Sequence, residues 1–498
     1  MANPLLNPLK KLPTDKKLSR AEKGSKPRAL NIPQKTIAGN MVFSDSEVWA
    51  FYRMQSSQFD FESVDQKARL LHQTSEAYAS LLNLNGDSDP IQVFPFTITT
   101  PVDEQAYLAT SYNPAQALVN PKYDEIMNMQ ASVIKNAGLP QEESYIGVLL
   151  GSRKKFQKPL TADDDEAHEE TIEDARKVFT DAMLDELTRI QKYFGALVNI
   201  HTENVSRLEE LNAMRREKVI RRALRHSTLA AEPLTRDEIM TITKTLLHPG
   251  EPPQPLDIDG DYRVGAHEIA YEYAHLIDNS KNTCVAITQE YADRTTTRYV
   301  ATFTVSQLPE VLEFPQMAPF AEVAGYSVPT ASVFARLTII PNNLMRDALE
   351  SQTLKHRNEA TDIQDGSETV HTYGDTNITA LQKAQAYLED IQAENDAVKA
   401  PWVRGSIHIR VYADSIEELK NYFEALKQQY RNQNINLRWT RNNQVELLLS
   451  AMPGAGLFVG GTTNNHILAQ QFTGYLGLNF SASIGDDFDP RPALNKRH

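Results

Sequence analysis

The segment SIHIRVYADSIEELKNYFEALKQQY, residues 406–430, constrains the fold more than any other part of the chain. Ile407, Ile409 and Val411 alternate with polar side chains, which is the period of a strand with one apolar face. The period then changes. Leu419, Phe423, Leu426 and Tyr430 recur at helical spacing and share one side of a helix. Ser415 and Glu418 stand at the spacing of a capping box at its start. INLRWT and QVELLLSAMP follow as predicted strands, joined by Arg441, Asn442 and Asn443. The order β-α-β-β, with strand and helix patterns upstream, predicts an α+β, multi-domain chain containing ferredoxin-like sandwich elements.

The rest of the chain divides by composition. Residues 1–40 carry nine Lys/Arg against Asp15 and Glu22, with prolines at 4, 8, 13, 27 and 33. They predict a flexible basic arm, solvated or meeting an anionic membrane face or nucleic acid. Residues 41–158 predict an α/β domain, with a helix at 65–82 and strands at 91–100 and 144–152. Residues 159–255 read as a central long-helix segment. It opens on TADDDEAHEETIED, eight acids without Lys or Arg, where a helix dipole favours negative charge. Phe179, Met183, Leu187, Ile190, Phe194 and Leu197 give it an apolar face. Arg215, Lys218, Arg222 and Arg225 give it a basic stripe, read as a solvated face. A helix over 236–247 ends at HPGEPPQP. Residues 256–487 predict an α+β domain whose C-terminal half is ferredoxin-like, with strands at CVAIT, 298–305 and 333–340 and a helix at 377–396; 488–498 form a tail.

Several motifs approach known chemistry without completing it. GLFVGGTT has Gly456 and Gly461 at phosphate-loop spacing, but Thr462 stands where a lysine must meet the phosphate charge. Asp257, Asp259, Asp261 and Glu268 match positions of a calcium loop, but Tyr262 replaces its glycine. His267 and His275 are two helical turns apart, too far to share a zinc ion readily. The single cysteine, Cys284, lies in an apolar strand pattern and reads as an inert buried thiol; it excludes a disulfide framework and indicates a reducing compartment. A formal charge of −14 argues against coating nucleic acid over the whole surface. No stretch is long and apolar enough to span a bilayer. The N-terminus lacks the apolar core of a secretory signal. Residues 447–485 contain no Asp, Glu, Lys or Arg and predict a buried or partner-covered segment in which HILAQQFTGYL is helical. Accordingly no catalytic, cofactor-binding or metal-binding residue is assigned, and no cofactor.

The order of several segments resembles the N-terminal, non-motor region of the traffic ATPases of type IV secretion and conjugative DNA transfer, in the form found in Gram-positive actinobacteria. These segments are SEVWAFYRMQSSQFDF, SYIGVLLGSR, LTRDEIMTITKTLLHPG, RYVATFTVSQLPEVLEFP, WVRGSIHIRVYADSIEEL, QVELLLSAMPG followed by TT, and SASIGDD, covering about 45–487. In that family a RecA-like motor follows this region. Here DFDPRPALNKRH stands where it would begin, so no catalytic residue of the family has a counterpart. The resemblance implies a non-catalytic assembly subunit, cytoplasmic and peripheral at the inner face of the membrane. Its implied partners are a separate motor ATPase and inner-membrane channel components, with homo-oligomer contacts. The alternatives are a nucleotide-binding protein using the degenerate loop at 456–463, or a nucleic-acid adaptor using the basic arm.

Overall fold

The computed structural model describes residues 34–59, 62–84, 90–101, 108, 112, 118–137, 140–157, 205–251, 263–264, 276–278, 283–290, 295–309, 319–347, 401–441, 443–456 and 466–481. The fold is α+β. Its first half runs β1 (Thr36–Ala38), β2 (Met41–Phe43), β3 (Glu47–Arg53), β4 (Ser57–Gln58), α1 (Val64–Ser80), β5 (Ile91–Pro101), α2 (Tyr123–Ala137), β6 (Pro140–Ser152), α3 (Arg207–His226), β7 (Glu232–Pro233) and α4 (Arg236–Leu247). Its second half runs β8 (Arg263–Val264), β9 (Leu276–Asp278), β10 (Val285–Glu290), β11 (Thr295–Gln307), α5 (Phe320–Ser327), β12 (Ser332–Ile340), β13 (Trp402–Ala413), α6 (Ile416–Arg431), β14 (Asn436–Trp439) and α7 (Gln444–Ser450). The short elements β15 (His466–Ala469), α8 (Phe472–Tyr475) and β16 (Phe480–Ser481) follow.

The two halves repeat one plan. In the first, β7 pairs β3, β3 pairs β6 and β6 pairs β5, all antiparallel. In the second, β14 pairs β11, β11 pairs β13 and β13 pairs β12, again antiparallel. Each is therefore a βαββαβ unit with its fourth strand beside the first and its third between first and second, the ferredoxin-like arrangement. Each is preceded by a hairpin partner, β2 or β10, and followed by one further helix, α4 or α7. The second strands of the units, β5 and β12, pair antiparallel and fuse both into one sheet, of 14 strands among the described residues. The predicted boundaries cut across this arrangement. Residues of 159–255 supply α3 and β7 to the first unit, and strands of 41–158 and 256–487 share the sheet.

Strand alternation sends side chains to two cores. One face collects Val48, Ala50, Ile146, Val148, Val333, Ala335, Ile407, Ile409 and Val411 beneath α1, α3, α5 and α6. The other collects Trp49, Phe51, Phe94, Phe96 and Phe334 beneath α4 and α7. Helix starts follow the sequence: Ser63 with Gln66, Ser206 with Glu209 and Thr235 with Glu238 all close capping boxes. At α6 the box is half made. Ser415 Oγ accepts from Glu418 N at 3.2 Å, but the Glu418 carboxylate takes the N–H of Asp414.

Three expectations are corrected. QVELLLSAMP is helix α7, not a strand. Its apolar run suits either element, and Glu and Leu favour a helix. Pro453 and Gly454 then end the turn; Gly454 has φ +75°, and a Cβ there would lie 2.4 Å from Val42 Cγ1. HILAQQFTGYL is a short strand followed by a single helical turn. Gly474 packs so closely on α1 that a Cβ would stand 2.1 Å from the Leu71 carbonyl, while its N–H donates to Ser75 Oγ at 2.9 Å. The segment 472–479 is thus buried within the chain itself, bonded to Ser75 and Ser144 of the first unit and to Ala321 and Gln433 of the second. Finally, the arm gives way to sheet before residue 40. Gln34 is fully buried, donating to Thr243 Oγ1 at 2.8 Å and to the Pro453 carbonyl at 2.9 Å, and β1 pairs β2.

Candidate functional site

The polar partners of Ile407, Ile409 and Val411 are the informative residues. In an open ferredoxin-like sheet they would face water. Here α4 and α7 cover that face, and Ser406, His408 and Arg410 are buried with Arg336 of β12. Each buried arginine meets a helix C-terminus, where orphan carbonyls carry partial negative charge. Arg410 donates to the Leu246 carbonyl at the end of α4. Arg336 Nη2 donates to the Ser450 carbonyl at 2.8 Å and to the Met452 carbonyl at 3.4 Å, at the end of α7. Burial lowers both guanidinium pKa values, to about 9 for Arg336, where Glu47 partly offsets it, and to about 10 for Arg410. His408 lies between Thr304 Oγ1 and Ser406 Oγ, each at 3.2 Å, and burial followed by the Arg336 charge holds its pKa down at about 4. The Gln444 amide pairs with the backbone of Thr302, accepting from its N–H at 2.7 Å and donating to its carbonyl at 2.9 Å, which ties α7 to β11.

A narrow cleft opens beside Arg336, lined also by Trp49, Gln92, Thr338 and Arg404. The register explains the grouping: Thr338 lies opposite Gln92 on one side and Arg404 on the other. Directly opposed residues share a face. The cleft therefore sits at the seam between the two units and presents hydrogen-bond donors and positive charge.

Two surface features accompany it. On α2, Tyr123, Met127 and Ala131 are buried, whereas Ile126, Met129 and Val133 are 43%, 65% and 63% exposed, an apolar row; Leu118 and Val119, before the helix, are exposed as well. On α3, Lys218, Arg222 and Arg225 of the basic stripe are exposed and Arg215 is half-buried, as a solvated face requires. The inward side of α3 is acidic. Glu217 accepts from Asn40 Nδ2 at 2.9 Å, Tyr52 OH at 3.1 Å and Arg221 Nε at 3.0 Å, and Glu209 pairs with Arg153 at 2.6 Å.

Of the motifs weighed in the sequence, Gly456 is exposed, while Gly461 and Thr462 lie outside the described residues. So do Asp257, Asp259, Asp261, Glu268, His267 and His275, the apolar row from Phe179 to Leu197, and the helix predicted at 377–396. Cys284 is buried, as its apolar setting predicts. Among the described residues no cluster of His, Cys, Asp or Glu could hold a metal, and no helix is long and apolar enough to cross a membrane. Sequence reasoning missed the buried face because its polar residues look like ordinary outward positions. The one available signal was their chemistry, since Arg336, His408 and Arg410 sit in strands otherwise dense in Val and Ile.

Comparison with known proteins returned no matching family model and no matching curated protein.

Proposed function

We propose that this chain is a non-catalytic assembly subunit of a conjugative-transfer or type IV secretion machine, cytoplasmic and peripheral at the inner face of the membrane. It holds a motor ATPase and inner-membrane channel components through its surfaces. The carrying observation is the apolar row Ile126, Met129 and Val133 on α2, whose inward side is already packed. Solvent-facing apolar side chains on consecutive turns of one helix are the mark of a protein-docking surface. Further support comes from where the family-like segments fall. SEVWAFYRMQ and RYVATFTVSQ are the first strands of the two units, SYIGVLLGS and GSIHIRVYA the third strands, and the segments at 234–250 and 444–454 carry α4 and α7. Matching positions of the duplicated framework carry the likeness, as suits a scaffold.

The test is complex formation between the purified chain and a RecA-like motor encoded beside its gene, followed by light scattering. The double substitution Met129→Glu, Val133→Glu is expected to abolish the complex while leaving the circular dichroism unchanged. Failure of the parent chain to bind such a motor and channel components, or nucleotide hydrolysis by the chain alone, would refute the proposal.

A further inference from the structure

We infer that the cleft at the seam of the two units is a binding site for a small oxyanion, a carboxylate or a phosphate group. The floor is Arg336. Its guanidinium carbon stands 3.4 Å from the ring centroid of Phe94 and 5.1 Å from that of Trp49, so aromatic faces hold the plane. Nη2 is occupied by the carbonyls at the end of α7, but Nε and Nη1 are buried with no hydrogen-bond partner. No carboxylate forms an ion pair with Arg336 among the described residues. Glu47, the acid that acts on it through space, is itself engaged by Trp49 Nε1 at 3.0 Å. A buried guanidinium edge left open is costly, and such edges are ordinarily completed by an anion or a water.

The mouth of the cleft supplies the rest of the site. Gln92, Thr338 and Arg404 stand side by side across β5, β12 and β13, and Arg404 is exposed. The cleft measures about 10 Å³, room for about one oxygen-sized atom. One oxygen of the ligand would enter toward Arg336, and the others would stay at the mouth against Arg404 and Thr338. Paired guanidinium donors match the geometry of a carboxylate or phosphate. The ligand reaches the site either as a free ion or as the end of a partner chain.

The experiment is calorimetric titration of the full chain with sodium phosphate and, separately, sodium acetate, each against sodium chloride at matched ionic strength. Saturable binding of either oxyanion is expected, weakened about tenfold or more in Arg404→Ala, which removes a charge-assisted contact. Arg404 is exposed, so this variant should retain the parent melting temperature. Thr338→Val should weaken binding less. Phosphate binding without acetate binding would point to a phosphate ester, and the reverse to a protein carboxylate. Oxyanions indistinguishable from chloride, the result for a cleft completed by water only, would overturn the inference. So would an Arg404→Ala protein binding as tightly as the parent.

Discussion

Lowering the pH should destabilise this fold through one imidazole, and the size of the effect follows from its surroundings. His408 is buried between Thr304 and Ser406, facing Arg336 on the next strand, and its pKa is about 4 against 6.5 for the free side chain. The unfolded chain therefore binds a proton over the window from about 6.5 to 4 that the folded chain refuses. Stability contributed by neutral His408 is present above pH 6.5 and is lost as the pH falls through that window. Between pH 7 and 4.5 the loss amounts to about 2 kcal/mol, with each pKa unit worth about 1.4 kcal/mol. Many carboxylates titrate in the same range, so the assay is a difference. Urea unfolding of the parent and of His408→Gln is measured at pH 7, 5.5 and 4.5. Glutamine offers hydrogen bonds to the same hydroxyls but takes up no proton. The gap between the two proteins should close, or reverse in favour of glutamine, by about 2 kcal/mol at pH 4.5. A gap independent of pH, or an imidazole resonance titrating near 6.5 in the folded protein, would refute the reasoning.

Two further predictions concern the framework. Glu217→Ala removes the buried acceptor shared by Asn40 and Tyr52 and should cost about 2–4 kcal/mol. Glu217→Gln keeps an acceptor and should cost clearly less in the same urea unfolding assay. Phe96 is fully buried against Phe94, Phe334, Tyr145 and Phe51 at the seam of the two units, so Phe96→Ala should cost about 3–5 kcal/mol. Hydrogen exchange should then accelerate in β5 and β12 together; acceleration confined to one unit would show that the seam does not couple them.

Local patterns in the sequence were sufficient for most single elements. The alternation in 406–413 marks β13, and the periodicity and caps at 64–80, 236–247 and 416–431 mark α1, α4 and α6, because each signal lies within a few residues of itself. The ferredoxin-like expectation rested on a β-α-β-β order; β13, α6 and β14 stand as read, whereas its last strand is α7. The duplication was not legible. The units share an order of elements, and their matching becomes visible through strand pairing.

The site was illegible for the same reason. Arg410 meets the Leu246 carbonyl across 164 positions of sequence, and Arg336 meets Ser450 across 114. The amino-acid sequence by itself determined most of the individual strands and helices, and that Val and Ile on one side of β12 and β13 must be buried. Only the tertiary structure decided that the opposite side is buried too, that α7 is a helix, and that Gln92, Thr338 and Arg404 stand in one row. A strand's period identifies its two faces, but which of them meets water depends on what the rest of the chain lays over it.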